Sequence, residues 1–226
     1  MSSRPTLLFD LDGTLADTAP DLHHTMNVLL ERHGRRTVPI ERVRDMVGGG
    51  ARKIMERGFA ETGAPADEAL LDQLFGEFIA HYGENLAVHS RLWPGMLAQL
   101  EALAARGAHM AVCTNKVEHL SRKLLRELEI DHFFPVVIGG NTLAVRKPDP
   151  EHLREAVRQL GGSLEHTVMV GDSAPDIDAA NAAGLPSICV TFGYSHIPAA
   201  ELGATVLIDH FDDFPAALAR LMPAHF

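Results

Sequence analysis

The sequence predicts an α/β fold: a Rossmann-like parallel sheet with helices on both faces, plus an α-helical segment inserted after the first strand. Three observations predict it. Short apolar runs stop abruptly on polar residues, as Thr6-Leu7-Leu8-Phe9 does at Asp10. After Trp93-Pro94-Gly95 such runs alternate with segments of helical period, the pattern of repeated strand–helix units. Between these regions, from about Pro20 to Val88, helical spacing prevails and no strand pattern interrupts it.

Each element has a local reason. Thr6–Phe9 reads as a buried strand that delivers Asp10 at its C-terminal end, and Gly13 follows as a turn residue. Pro20-Asp21 opens a helix in which Leu22, Met26, Leu29 and Leu30 share one face. Ile54 and Met55, then Leu70, Leu71, Leu74, Phe75 and Phe78, continue the helical period. A helix near Met96–Ala105 leads into the strand His109–Cys113, and one near Glu118–Leu128 leads into Val136–Ile138. A helix near Glu151–Leu160 precedes Thr167–Val170, and one near Pro175–Ala183 precedes Ser187–Val190. Thr205–Ile208 and a helix near Phe214–Leu221 close the chain. The expected division is a core of residues 1–16 and 92–226 around a helical unit of residues 17–91.

Composition narrows the function. The 226 residues carry 20 Lys+Arg against 30 Asp+Glu, a formal net charge of −10, which argues against a nucleic-acid or anionic-membrane partner, since both want a basic patch. At 46% hydrophobic the chain can bury a sizeable core. No uncharged apolar stretch reaches the ~18 residues of a membrane span, and carboxylates follow too soon after the N-terminus for a signal peptide. Cys113 and Cys189 sit in apolar runs as buried thiols, not as a disulfide framework, so a reducing cytoplasmic setting is expected. The thirteen histidines are scattered, and none stands at metal-protease spacing. Gly48-Gly49-Gly50 is a flexible loop rather than a dinucleotide fingerprint.

The chemistry collects where strands end. Asp10 and Asp12 follow the first strand, Thr114 and Asn115 the second, and Asp172, Ser173 and Asp176 the fourth; Lys147 lies between the third strand and its helix. Open α/β sheets bind ligands outside the carboxyl ends of their strands. Crowded carboxylates want a divalent cation, and oxygen donors suit Mg²⁺ rather than Zn²⁺. A carboxylate can also serve as a nucleophile, while a lysine, a hydroxyl and backbone N–H groups hold an anion. That combination points to phosphoryl transfer.

Asp10-Leu11-Asp12-Gly13-Thr14, Thr114-Asn115, Lys147-Pro148 and Gly171-Asp172-Ser173-x-x-Asp176 resemble, in order, the four motifs of the haloacid dehalogenase-like hydrolases. The resemblance runs through the whole chain and makes the inserted helices a cap domain. It implies that Asp10 is the nucleophile and forms an aspartyl-phosphate. It implies that Asp12 is the general acid and base, the second aspartate that separates the phosphatases from the dehalogenases. Thr114 and Lys147 become phosphate ligands, with Lys147 also restraining the nucleophile. Asp10, Asp172 and the carbonyl of Asp12 become the Mg²⁺ ligands. Asp176 supports that metal site or serves as a first-turn carboxylate on a helix dipole. Asn115 is either an amide of the phosphate pocket or an N-cap, and Ser173 has the same second role. Lys116 and Arg146 are divided between the site and solvent, and Thr14 fits a turn better than a catalytic role.

The opening Phe9–Leu22 is similar to that of bacterial phosphoglycolate phosphatases, with Thr18 where those carry serine. Val47-Gly48-Gly49-Gly50-Ala51-Arg52 resembles their specificity loop. On that resemblance Gly49 approaches a small substrate through its backbone, and Arg52 pairs with a substrate carboxylate or is solvated, an ambiguity that Lys53 shares. The implied partner is a small phosphorylated metabolite, and the expected assembly is a monomer or homodimer. The cap is expected to move on hinges near Ala16–Thr18 and Ser90–Pro94.

Overall fold

The computed structural model describes residues 4–226. Six strands form one parallel sheet: β1 (Thr6–Phe9), β4 (His109–Cys113), β5 (Val136–Ile138), β6 (Thr167–Gly171), β7 (Ser187–Val190) and β8 (Val206–Ile208). Their spatial order is β5-β4-β1-β6-β7-β8. The chain winds outward from β1 through β4 to β5, then returns to the other side of β1 and winds outward again. The switch point of this sheet therefore lies between β1 and β6, where a ligand crevice is expected. Phe9 is in register with both Val112 and Val170, and the Asp10 N–H donates to Val170 O at 2.9 Å. Asp10 and Asp172 thus emerge side by side from the two strands.

Both faces of the sheet are covered, and alternation along β1 decides which residue goes where. Leu7 and Phe9 join the larger core, with residues of α5 (Met96–Ala105), α6 (Glu118–Glu127) and α9 (Phe214–Leu221). Leu8 points to the opposite core, with residues of α7 (Glu151–Gln159) and α8 (Ala174–Ala183). Cys113 and Cys189 are buried free thiols. Among the described residues no helix is long and apolar enough to cross a membrane.

Four further helices, α1 (Ala19–Arg32), α2 (Ile40–Arg44), α3 (Ala51–Thr62) and α4 (Glu68–Glu84), lie between β1 and the rest of the sheet in sequence. Their apolar faces extend the same core that Leu7 and Phe9 enter. Asp67 caps α4 by accepting from the Leu70 N–H at 2.9 Å. The chain leaves and rejoins the sheet region through β2 (Ala16–Asp17) and β3 (Arg91–Leu92), which pair antiparallel with Asp17 opposite Arg91. Buried Asp21 staples the return segment to the first turn of α1. It accepts from the backbone N–H groups of His89 and Ser90 and from the Ser90 hydroxyl at 2.6 Å.

Candidate active site

Asp10 and Asp172 are buried, and Asp176 joins them from the first turn of α8. One carboxylate oxygen from each of the three lies within 4.8 Å of the others, a group able to hold a metal ion. Lys147 ties the set together. Its Nζ donates to Asp176 Oδ1 at 2.5 Å and to the Cys113 carbonyl at 2.6 Å, and stands 3.0 Å from Asp10 Oδ1. The last contact is an ion pair without hydrogen-bond alignment, so Asp10 Oδ1 is buried with no hydrogen-bond partner among the described residues. The other oxygen of Asp176 accepts from the Asp172 and Ser173 N–H groups and from the Ser173 hydroxyl at 2.8 Å. Ser173 and Asp176 form a reciprocal capping box. Asp172 accepts from Thr14 Oγ1 at 2.9 Å and from the Tyr194 N–H at 2.6 Å. Gly13 makes room for it: at φ +89° a side chain there would be strained and would collide with the Asp172 carboxylate.

Burial and mutual repulsion set the electrostatics of this cluster. Burial pushes the Asp10 carboxyl up to about 6; Lys147 opposes that rise, while Asp176 and Asp12 add to it. Asp172 is held well above the usual carboxylate range by burial, then by Asp176 and Asp10. Burial also works against the Lys147 ammonium, but Asp10 and Asp176 outweigh it and raise that group. Two neighbouring carboxyls that resist ionisation for want of positive charge, with only oxygen donors, suit a hard divalent cation.

Asp12 faces the other way. Both its oxygens accept from Lys116 Nζ, at 2.9 and 3.1 Å, and its carboxylate is not one of the three grouped around Asp10. Lys116 is buried, and its third contact is the Tyr82 hydroxyl of α4 at 2.9 Å. Thr114 is buried beside it and accepts from the Lys116 N–H at 3.2 Å. Asp10, Asp12, Thr114, Lys116 and Tyr82 all line a small cavity of about 30 Å³ between the helical insert and the sheet. Asn115 is not an N-cap, since Val117 holds that position for α6. Its amide instead donates to the carbonyls of Gly48 and Lys147, both at 3.2 Å, which clasps the glycine loop of the insert to the strand ends. Gly50, at φ +82°, would place a Cβ 3.1 Å from the Asn115 carbonyl.

The structure does not bring Arg52 and Gly49 to this cavity. They line an outer cleft of about 390 Å³, together with Lys53 and Arg146, and this cleft reaches the strand ends at Asn115, Lys147 and Ser173. The Arg52 guanidinium is held by Glu68 at 2.7 Å and Asp72 at 2.9 Å, and Lys53 pairs with Glu56. Sequence reasoning missed Tyr82, which lies in the buried stripe Leu71, Leu74, Phe78, Tyr82 and has no motif of its own. It also missed Tyr194, whose hydroxyl donates to Asp17 and accepts from the Ala19 N–H at 2.9 Å.

Comparison with known proteins agrees with this geometry. The family described as haloacid dehalogenase-like hydrolase matches residues 7–190. A phosphoglycolate phosphatase of Caulobacter vibrioides is 42% identical over 217 residues, covering 96% of this chain and 92% of that protein. One from Agrobacterium fabrum is 42% identical over 229 residues, covering 100% and 95%. A crystal structure described as a predicted phosphoglycolate phosphatase from Haemophilus somnus superposes with a TM-score of 0.87 at 32% identity, covering 96% of this chain and 99% of that one. The matched span opens in β1 and closes at the end of β7, so it holds every carboxylate of the cluster together with Lys147, and the chain belongs to the haloacid dehalogenase-like hydrolase family.

Proposed function

We propose that the chain is a phosphomonoester hydrolase that works through an aspartyl-phosphate on Asp10 and that its substrate is 2-phosphoglycolate. The observation that carries the reading is the meeting of Asp10, Asp172 and Lys147 at the switch point of the sheet, with Asp12 in the adjoining cavity. The name shared by full-length relatives at 42% identity supports the substrate. Mg²⁺ fits the oxygen donors of Asp10, Asp172 and the Asp12 carbonyl, and when bound it neutralises the carboxylates and the phosphate charge.

The chain's own groups do the rest. The Asp10 carboxylate forms a bond to phosphorus as the ester bond breaks, and Asp12 gives its proton to the departing glycolate oxygen. A water then attacks phosphorus, Asp12 takes the water's proton, and the Asp10–phosphorus bond breaks to release phosphate. Lys147 holds Asp10 in place and offers positive charge to the phosphate oxygens, while Thr114 adds a hydroxyl. Residues 17–91 act as the cap, and the pairing of β2 with β3 is the pivot on which it opens. Closure excludes bulk water from the acyl phosphate, and a small cavity favours a short leaving group.

A screen of phosphorylated metabolites with Mg²⁺ present tests the reading. Phosphoglycolate is expected to have the highest kcat/KM. A preference for hexose phosphates would overturn the substrate and leave the hydrolase standing; no turnover of any phosphomonoester would overturn both.

A further inference from the structure

We infer that Lys116 and Tyr82 form the subsite for the substrate's carboxylate, a role that rests on the phosphoglycolate reading and that places specificity on both sides of the closed cavity. Among the described residues lining that cavity, Lys116 is the one cation. Arg52 is engaged by Glu68 and Asp72 in the outer cleft, and Lys147 is committed to Asp10, Asp176 and the Cys113 carbonyl. A carboxylate that lies in this cavity, attached to a phosphate seated at Asp10, therefore meets one positive group, that of Lys116.

Lys116 has the donors for it. An ammonium carries three N–H groups, and here they meet Asp12 Oδ1, Asp12 Oδ2 and the Tyr82 hydroxyl. The double contact with Asp12 is redundant: release of one oxygen frees a donor for the substrate and keeps the other bond. Tyr82 supplies a second donor. Its hydroxyl accepts from Lys116, while burial and the nearby Asp12 and Asp21 hold the phenol far above its usual range, so its proton stays on. No described residue accepts that proton, and the hydroxyl lines the cavity. Lys116 Nζ also stands 4.4 Å from the Tyr82 ring centroid, which fixes the two groups as a unit. The apolar residues Leu22, Ile54, Phe78 and Leu120 wall the same space and offer nothing to a sugar hydroxyl.

The pair also spans two parts of the chain. Lys116 belongs to the loop after β4, and Tyr82 to the inserted helix α4. A carboxylate held by both is recognised only when the insert is closed on the sheet, so the group that identifies the substrate also completes the enclosure around Asp10.

The test compares phosphoglycolate with ethyl phosphate, which is of similar length and lacks the carboxylate, in wild type, Lys116→Met and Tyr82→Phe. Wild type is expected to prefer phosphoglycolate in kcat/KM. Lys116→Met is expected to erase about ten- to hundred-fold of that preference, the range of a charge-assisted hydrogen bond. Tyr82→Phe keeps the ring and the packing and is expected to erase several-fold, mainly through KM. Calorimetric binding of the two ligands to Asp10→Asn, with and without Lys116→Met, gives the same ratio without turnover. A wild type that does not prefer phosphoglycolate removes the substrate reading and this inference with it. A wild-type preference that survives in Lys116→Met, equal losses on both substrates, or a preference lost in Arg52→Ala instead leaves the substrate reading intact and overturns the inference.

Discussion

Asp176 is the residue through which the buried cluster is tied to the fold, and its replacement by alanine tests how much that tie contributes. The change removes the 2.5 Å pair with Lys147 and the acceptor for two backbone N–H groups and the Ser173 hydroxyl. Loss of a helix cap alone costs ~1 kcal/mol, and breaking a buried ion pair from one side costs ~3–5 kcal/mol. Lys147 retains Asp10 and the Cys113 carbonyl, and Asp10 and Asp172 lose a repelling neighbour, which together offset part of the second amount. A net loss of about 4 kcal/mol is expected, measured as the shift in unfolding free energy by urea titration of metal-free protein. Asp176→Asn keeps an acceptor for the cap but not the charge, and is expected to lose roughly half as much. Loss of less than about 1 kcal/mol in the alanine variant would refute the reasoning and strip Asp176 of this structural role.

Further outcomes follow from the same site. Exhaustive EDTA treatment is expected to abolish phosphomonoester hydrolysis and added Mg²⁺ to restore it and raise Tm, because the cation relieves the burial and repulsion that now hold Asp10 and Asp172 up; full activity after chelation would contradict this. Asp10→Asn is expected to stay folded by circular dichroism and to lose turnover, while Asp12→Asn traps phosphoenzyme from an aryl phosphate with a good leaving group, detectable after an acid quench as phosphate released by hydroxylamine. His152 is fully buried, and burial followed by Lys147 pushes it down to about 4 from 6.5. The unfolded chain takes that proton first, so this group withdraws roughly 3 kcal/mol of stability as pH falls from about 6.5 to about 4. Asp10 pulls the opposite way, since its raised folded value favours the folded state in acid and that gain is lost as pH rises through about 6. The difference in Tm between wild type and His152→Gln across this window isolates the histidine, and a flat difference would refute its share.

The legibility of the sequence was uneven for physical reasons. The six sheet strands were readable because each is a short apolar run, buried along all or most of its length except in the edge strand β8, which is buried only in part, and Thr6–Phe9 and Val136–Ile138 match the observed bounds. β2 and β3 are two residues each, too short to show a period. Strand ends are fixed by the sheet, so Asp10, Thr114 and Asp172 could be placed near one another from topology alone. The direction of a side chain could not. Asp12 turns to Lys116 because the loop after β4 supplies the ammonium, and Arg52 turns outward because α4 supplies two carboxylates that are distant in sequence. Tyr82 was hidden for the same reason: in α4 it occupies an ordinary core position, and only the packing of that helix against the loop after β4 gives its hydroxyl a partner.

The ribbon of β2 and β3 has a consequence for how the molecule can be taken apart. Paired strands lie ~5 Å from each other, so everything between Asp17 and Arg91 begins and ends at nearly the same point. Connectivity therefore places no constraint on the size or shape of that segment: it can be exchanged for another without rerouting the sheet or shifting Asp10 from its register with Val112 and Val170. The limit is set underneath, where Leu22, Met26 and Phe78 share one continuous core with Leu7 and Phe9. A graft that brings new specificity must bring a matching apolar underside, and one that does not will leave a greasy scar over the catalytic half.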